Sequence, residues 1–317
     1  MHIVLAEPLG ISEALLSEYI KPFLANGHTF TAYSDKASDD QELYERVKDA
    51  DILMIANRKL PGTVIKKLTK LQMIDVAFTG VDHIDMSVCR NMGITVCNAS
   101  GYSNTSVSEL VIGHTINIYR HILSCDRACR EGKTSNGLIG MEIKGKKVGI
   151  IGTGKIGIET ARLFKAFGAE VLGWSRSVRE EALQTGIKYV SLEELLSNAD
   201  IISLHLPMNE NTSRFFDANK ISMMKSEAVL INCARGGIVD NKALAEALNE
   251  GTIAGAAIDV FDIEPPLSAD DPLINAKNCL LSPHVAFLTK ESMIRRAEIV
   301  FHNLSAYLAQ RPENVVH

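Results

Sequence analysis

One stretch, KKVGIIGTGKIGIETARLFKAFGAEVLGWSR at 146–176, constrains the fold more than any other. An apolar run at 148–151 meets the turn Gly152-Thr153-Gly154-Lys155-Ile156-Gly157. That turn opens a segment in which Ile156, Thr160, Leu163, Phe164 and Phe167 recur at the 3–4-residue spacing of a helix face. Gly168 is a natural helix stop, and 170–174 reads as a further strand. Each glycine has its own task in such a unit. Gly152 permits the tight turn, Gly154 lets the backbone approach a pyrophosphate, and Gly157 lets helix and strand pack closely. The free N–H groups at the helix start then face the phosphates. A glycine-rich turn alone says little; the order strand, turn, helix, strand is the context that makes it a dinucleotide site.

The cofactor is selected at the end of the next strand, where NAD enzymes carry an acid for the ribose 2′-hydroxyl. This chain reads Trp174-Ser175-Arg176-Ser177 there, with no carboxylate. Ser175 leaves room for a 2′-phosphate and Arg176 can pair with it, so NADP is expected over NAD. The plainer alternative has Arg176 covering the adenine while NAD binds.

Around this unit, short apolar runs alternate with helical segments. Strands are expected at 2–6, 51–56, 73–78 and 94–97, and again at 147–151, 170–174, 200–204, 228–232, 255–260 and 279–281. That alternation predicts an α/β protein with doubly wound parallel sheets, and 317 residues suggest two domains. A single long helix is expected over 103–130, and an amphipathic helix over 290–310. Net charge is −5, which argues against nucleic acid and anionic membranes as partners. No apolar run suits a membrane span, and the start MHIVLAEPLG lacks the form of a secretion signal, so a cytoplasmic protein is expected. The six cysteines form no C-x-x-C pair and suggest reduced thiols and no metal site.

Three later segments carry redox chemistry suited to a 2-oxo acid. In VLINCARGGIV, Arg235 follows a strand end, where ligands of doubly wound sheets bind. A guanidinium there can grip a carboxylate with two bonds and polarise the adjacent carbonyl. In AGAAIDVFDIEPP, Asp259 lies near the strand end and Glu264 precedes two prolines. In CLLSPHVAF, His284 follows the strand. A ketone needs a proton as hydride arrives, and histidine is the side chain suited to give it near pH 7. A neighbouring carboxylate favours the imidazolium and fixes the tautomer, and Glu264 is the candidate. His205, in SLHLP, competes but has no carboxylate nearby in sequence.

Taken in order, GTGKIG, LHLPMNENT, INCARGGIVD, GAAIDVFDIEPP and SPHVAF resemble the D-isomer-specific 2-hydroxyacid dehydrogenase family over nearly the whole chain. The resemblance implies a Rossmann-type cofactor domain at 100–285 inserted into a flavodoxin-like substrate domain built from 1–99 and 286–317. It implies Arg235 as substrate ligand, Glu264 as support and His284 as proton donor and acceptor. It carries cofactor contacts to Lys155, Ile156, Leu206, Pro207, Thr212, Cys233 and Ala234, and assigns Asp259 to the nicotinamide carboxamide. It carries substrate contacts to the loop around Thr79 and Gly80 and to Tyr102. Asn57, Arg58 and Phe78 join Tyr102 as candidates for the side-chain pocket. A homodimer through the 103–130 region is implied as well.

The sequence departs from the family's common pattern at several points. Ser175-Arg176 is similar to NADP-preferring reductases. The connection at 134–136 lacks a common tryptophan, and with the sequence ending at His317 the regulatory domain of many phosphoglycerate dehydrogenases is not expected. The Glu–His pair is unlike that of formate dehydrogenase. The expected substrate is glyoxylate, hydroxypyruvate or another small 2-oxo acid. The alternatives are a corepressor-like NAD(H)-binding protein without turnover, and a related dehydrogenase acting on a donor such as phosphite.

Overall fold

The computed structural model describes residues 1–264 and 266–316. The chain divides into two compact units, Met1–Ser103 with the residues from Leu288 onward, and Asn104–Phe287.

The first unit holds β1 (His2–Leu5), β2 (Thr29–Ala32), β3 (Ile52–Ile55), β4 (Met73–Val76) and β5 (Thr95–Asn98), paired in the order β2-β1-β3-β4-β5. All four pairings are parallel. This is the flavodoxin-like order, with the chain reversing direction across the sheet between β1 and β3. Runs such as ILMI in β3 are buried throughout, as a sheet covered on both faces requires.

The second unit holds β6 (Lys147–Ile151), β7 (Glu170–Trp174), β8 (Lys188–Tyr189), β9 (Ile201–Leu204), β10 (Val229–Asn232), β11 (Gly255–Ile258) and β12 (Cys279–Leu281). Their order is β12-β11-β10-β9-β6-β7-β8, again all parallel. It is the Rossmann order with one strand added beyond the sixth.

Two strands escape the sequence reading. β2 is a partly exposed edge strand without a continuous apolar run, and β8 is two residues long. The single helix expected over 103–130 is two, Asn104–Arg120 and Ile122–Arg130, broken at His121 with φ 51. Histidine is among the side chains that tolerate this left-handed region. The first helix buries Val107, Val111, Ile112, His114, Thr115 and Tyr119, whereas the second buries none. The apolar spacing therefore runs past the point where burial stops.

The helix Lys290–Leu308, opened by a reciprocal Thr289–Ser292 capping box, completes the first unit. Phe301 stacks on Tyr19 with ring centroids 4.9 Å apart. Asn303 donates to the Asp75 carboxyl and to the Asn98 carbonyl, both at 3.0 Å. Beyond the helix, Asn314 accepts from the Asn98 N–H and Val316 donates to the Val96 carbonyl, which covers the open edge of β5. Among the described residues, no helix is long and apolar enough to cross a membrane.

Candidate active site

The glycine turn has the geometry of a phosphate cradle. Gly152 lies at φ 100, and a Cβ there would stand 2.5 Å from the His205 carbonyl oxygen. At Gly157 a Cβ would meet the Gly152 carbonyl oxygen at 2.1 Å, so only glycine lets the helix start this close to its strand. A Cβ at Gly154 would meet nothing within 4 Å. A side chain there would fill the open space in front of the helix Lys155–Ala166, where a pyrophosphate needs the backbone. The residues present thus fit a dinucleotide.

Lys155 is exposed and Ile156 half-buried. At the end of β7, Ser175 is half-buried and Arg176 exposed, behind Trp174 stacked on Phe215. Beyond β9, Leu206 and Pro207 begin a loop closed by Thr212, whose hydroxyl donates to the Pro207 carbonyl at 2.6 Å. Cys233 and Ala234 follow β10, where the Ala234 N–H donates to the buried Asn232 side chain at 3.0 Å.

The catalytic candidates come from three neighbouring strands. Arg235 lies just beyond β10, Glu264 beyond β11 and His284 beyond β12, so their loops share one edge of the sheet. The Asn232 side chain also donates to the Arg235 carbonyl at 3.0 Å, which shapes the turn, and Arg235 donates to the Ala234 carbonyl at 2.8 Å. A Cβ on Gly236 would stand 1.9 Å from the Phe261 carbonyl carbon, so glycine at 236 lets the β10 and β11 loops touch. His284 Nδ1 meets Glu264 Oε2 at 2.8 Å. The His284 ring packs edge-on against Phe287, with centroids 5.4 Å apart.

His205 is placed differently. Its Nε2 meets the Ser203 hydroxyl at 2.9 Å, and desolvation pushes its pKa down to about 4 although the residue keeps some surface. That lowering favours the neutral ring near pH 7, and His205 has no carboxylate partner of the kind His284 has in Glu264.

Asp259 is wholly buried. Its carboxylate accepts from the Val285 N–H at 3.0 Å, the Ala286 N–H at 2.8 Å and the Ser282 hydroxyl at 2.5 Å. It is directed at the loop that carries His284.

In the first unit, Thr79 and Gly80 follow β4, and the Thr79 carbonyl is held by Asn98 at 2.7 Å. Tyr102 is buried, with its ring 6.0 Å from Phe78 in an edge arrangement. Arg58 is tied to Asp40 at 2.8 Å and to the carbonyls of Ala37 and Lys59. Two residues that sequence reading passed over stand nearby. Buried Glu7 accepts from the N–H groups of Ala56 and Arg58 at 2.8 and 2.9 Å, bridging β1 to β3 at the point of reversal. Buried Arg296 lies over the Phe78 and Tyr102 rings, at 5.5 and 6.0 Å. An acidic residue straight after β1 was the only sequence signal for Glu7; Arg296 had none.

A dinucleotide cradle and an acid-supported imidazole on one sheet edge divide the work as nicotinamide-dependent oxidoreductases do. The sequence pattern described as "D-isomer specific 2-hydroxyacid dehydrogenase, NAD binding domain" matches residues 112–286. A D-3-phosphoglycerate dehydrogenase of Methanocaldococcus jannaschii is 37% identical over 87% of this chain, which spans about half (53%) of that protein. A glyoxylate reductase of Korarchaeum cryptofilum is 35% identical over 90% of this chain and 88% of its own length. An acyclic imino acid reductase solved with NADPH and D-Arg superposes with a TM-score of 0.90 at 29% identity, over 100% of both chains. The chain belongs to the D-isomer specific 2-hydroxyacid dehydrogenase family and is an oxidoreductase acting on CH–OH donors with a nicotinamide dinucleotide.

Proposed function

We propose that this protein reduces a small 2-oxo acid of the glyoxylate or hydroxypyruvate kind to the D-2-hydroxy acid, with NADPH preferred over NADH. The observation that carries the reading is the 2.8 Å contact between His284 Nδ1 and Glu264 Oε2. With Nδ1 engaged, the other ring nitrogen is left for the substrate oxygen. Arg235 grips the carboxylate and polarises the carbonyl, His284 delivers the proton, and Glu264 holds the imidazole through Nδ1. The bound nicotinamide supplies the hydride. Thr79, Gly80 and Tyr102 are further substrate contacts. Gly152, Gly154, Lys155, Ile156 and Gly157 hold the pyrophosphate side of the cofactor. Leu206, Pro207, Thr212, Cys233 and Ala234 flank it, Asp259 holds the nicotinamide carboxamide, and Ser175 and Arg176 take the 2′-phosphate. Absence of an acid at Ser175 and the exposure of Arg176 support the NADP preference.

A homodimer through the 103–130 region and a cytoplasmic place of action belong to the same proposal. The first is supported by a helix, Ile122–Arg130, that buries nothing, and by the exposed Ile122 and Leu123. The second is supported by six free cysteines.

The test follows NADPH and NADH absorbance with glyoxylate, hydroxypyruvate, pyruvate, phenylpyruvate and branched 2-oxo acids. His284→Ala should lose turnover by about 10²–10⁴-fold with cofactor affinity preserved. Near-normal turnover in that variant would remove the assignment. Tight cofactor binding with no turnover of any 2-oxo acid by the parent protein would favour the corepressor-like alternative.

A further inference from the structure

The backbone of His284 is left-handed, with φ 54. Histidine tolerates this region better than most side chains, but outside glycine it is uncommon and persists where the surroundings hold it. The holding group is Asp259. Its carboxylate clasps the loop on both sides of His284, through the Ser282 hydroxyl before it and the Val285 and Ala286 N–H groups after it. Ser282 is held in turn. His114, on the buried face of the helix Asn104–Arg120, places Nε2 at 3.1 Å from the Ser282 hydroxyl oxygen.

Proton counting gives this chain a direction. A serine hydroxyl has one proton, and an ionised carboxylate only accepts. The Ser282 proton goes to Asp259, so His114 presents Nε2–H to the Ser282 oxygen. Burial pushes the His114 pKa down against the nearby Asp259 charge, which favours the neutral ring, and the proton count places its N–H at Nε2. His114, Ser282 and Asp259 thus form one polarised strut, the first well over a hundred residues before the other two. It runs from the core of the second unit to the backbone that aims the imidazole.

We infer that Ser282 and His114 are positioning residues for the proton donor, fixing the Asp259 carboxylate and through it the left-handed loop of His284. The inference rests on the reading of His284 as the proton donor. Neither residue touches substrate or cofactor in this role. Removing either should therefore slow the chemical step far more than it weakens cofactor binding.

The experiment measures steady-state kinetics and single-turnover hydride transfer with NADPH and glyoxylate or hydroxypyruvate. The variants are Ser282→Ala, Ser282→Thr, His114→Leu, His114→Gln and His284→Ala. A loop displaced by a fraction of an ångström should lower the Ser282→Ala rate about ten-fold, with the KM for NADPH within about two-fold of parent. Threonine restores the hydroxyl and should recover most of that loss. Glutamine supplies an N–H where His114 has Nε2–H, so His114→Gln should be faster than His114→Leu. Parental rates in Ser282→Ala, with His284→Ala inactive, would overturn this inference and leave the catalytic reading standing. Parental rates in His284→Ala would overturn the catalytic reading itself. If Ser282→Ala fails to fold, equal rates in the two His114 variants would equally sink the inference.

Discussion

Replacing Glu264 separates two things that one carboxylate does. The His284–Glu264 contact is 2.8 Å long, with His284 21% and Glu264 48% exposed at the side chain. A hydrogen bond to a charged group is worth about 1.5–3 kcal/mol, and a neutral one about half that. Half-exposure of the carboxylate places this pair at the lower end, because water screens it. Glu264→Gln keeps an acceptor for Nδ1–H and turns a charge-assisted hydrogen bond into a neutral one. The loss should be about 1 kcal/mol, roughly five- to ten-fold in kcat for reduction. Glu264→Ala removes acceptor and charge together and frees the ring to rotate, so about 100-fold is expected. The assay is NADPH consumption at saturating glyoxylate or hydroxypyruvate, with cofactor KM measured alongside as a control for folding. The order parent, glutamine, alanine is the diagnostic result. Alanine within two-fold of parent, in a preparation where His284→Ala is inactive, would refute the reasoning, because the ring would then take its orientation from something other than Glu264.

Two further outcomes follow from other sites. Arg176→Ala should raise the KM for NADPH about ten-fold or more and leave that for NADH nearly unchanged, since only the cofactor with a 2′-phosphate loses a charge-assisted bond; equal effects on both would remove Arg176 from the 2′-phosphate site. Asp75 is wholly buried, and desolvation pushes its pKa up to about 8 against the single opposing bond from Asn303. The folded state keeps this proton and the unfolded state releases it near the ordinary carboxylate pKa. Its contribution to stability is therefore present in full below about pH 4 and lost as pH rises toward about 8, by up to about 1.4 kcal/mol per pH unit. In thermal melts at pH 5, 6.5 and 8, Asp75→Asn should gain on the parent as pH rises, and parallel curves would count against it.

Legibility in the sequence followed the range of the interactions. The glycine turn is local, so its three tasks could be read from spacing. Glu264 and His284 could be paired because each follows a strand end and strands of a parallel sheet end on one edge. The break at His121 left no trace, since the side chain that adopts φ 51 carries no glycine or proline signature. Asp259 could be read as a residue near a strand end, but its partners depend on the path of the 282–286 loop. Ser282 and His114 lie 168 positions apart, and nothing in either local segment points to the other. Arg296 was hidden for a similar reason: it belongs to a helix whose docking surface is formed by residues far earlier in the chain.

That late helix sets a timetable for synthesis. Asn303 donates to the buried Asp75 carboxyl, and Phe301 stacks on Tyr19. At roughly 5–20 residues per second, about ten to forty seconds separate the emergence of residue 103 from that of residue 288. Through that interval the nascent first unit has its five strands but lacks the cover for β4 and for the edge of β5. The second unit, contiguous in sequence, has everything it needs to close. A ribosome should therefore release a chain whose middle is finished before its beginning, with the early sheet as the surface a chaperone would guard.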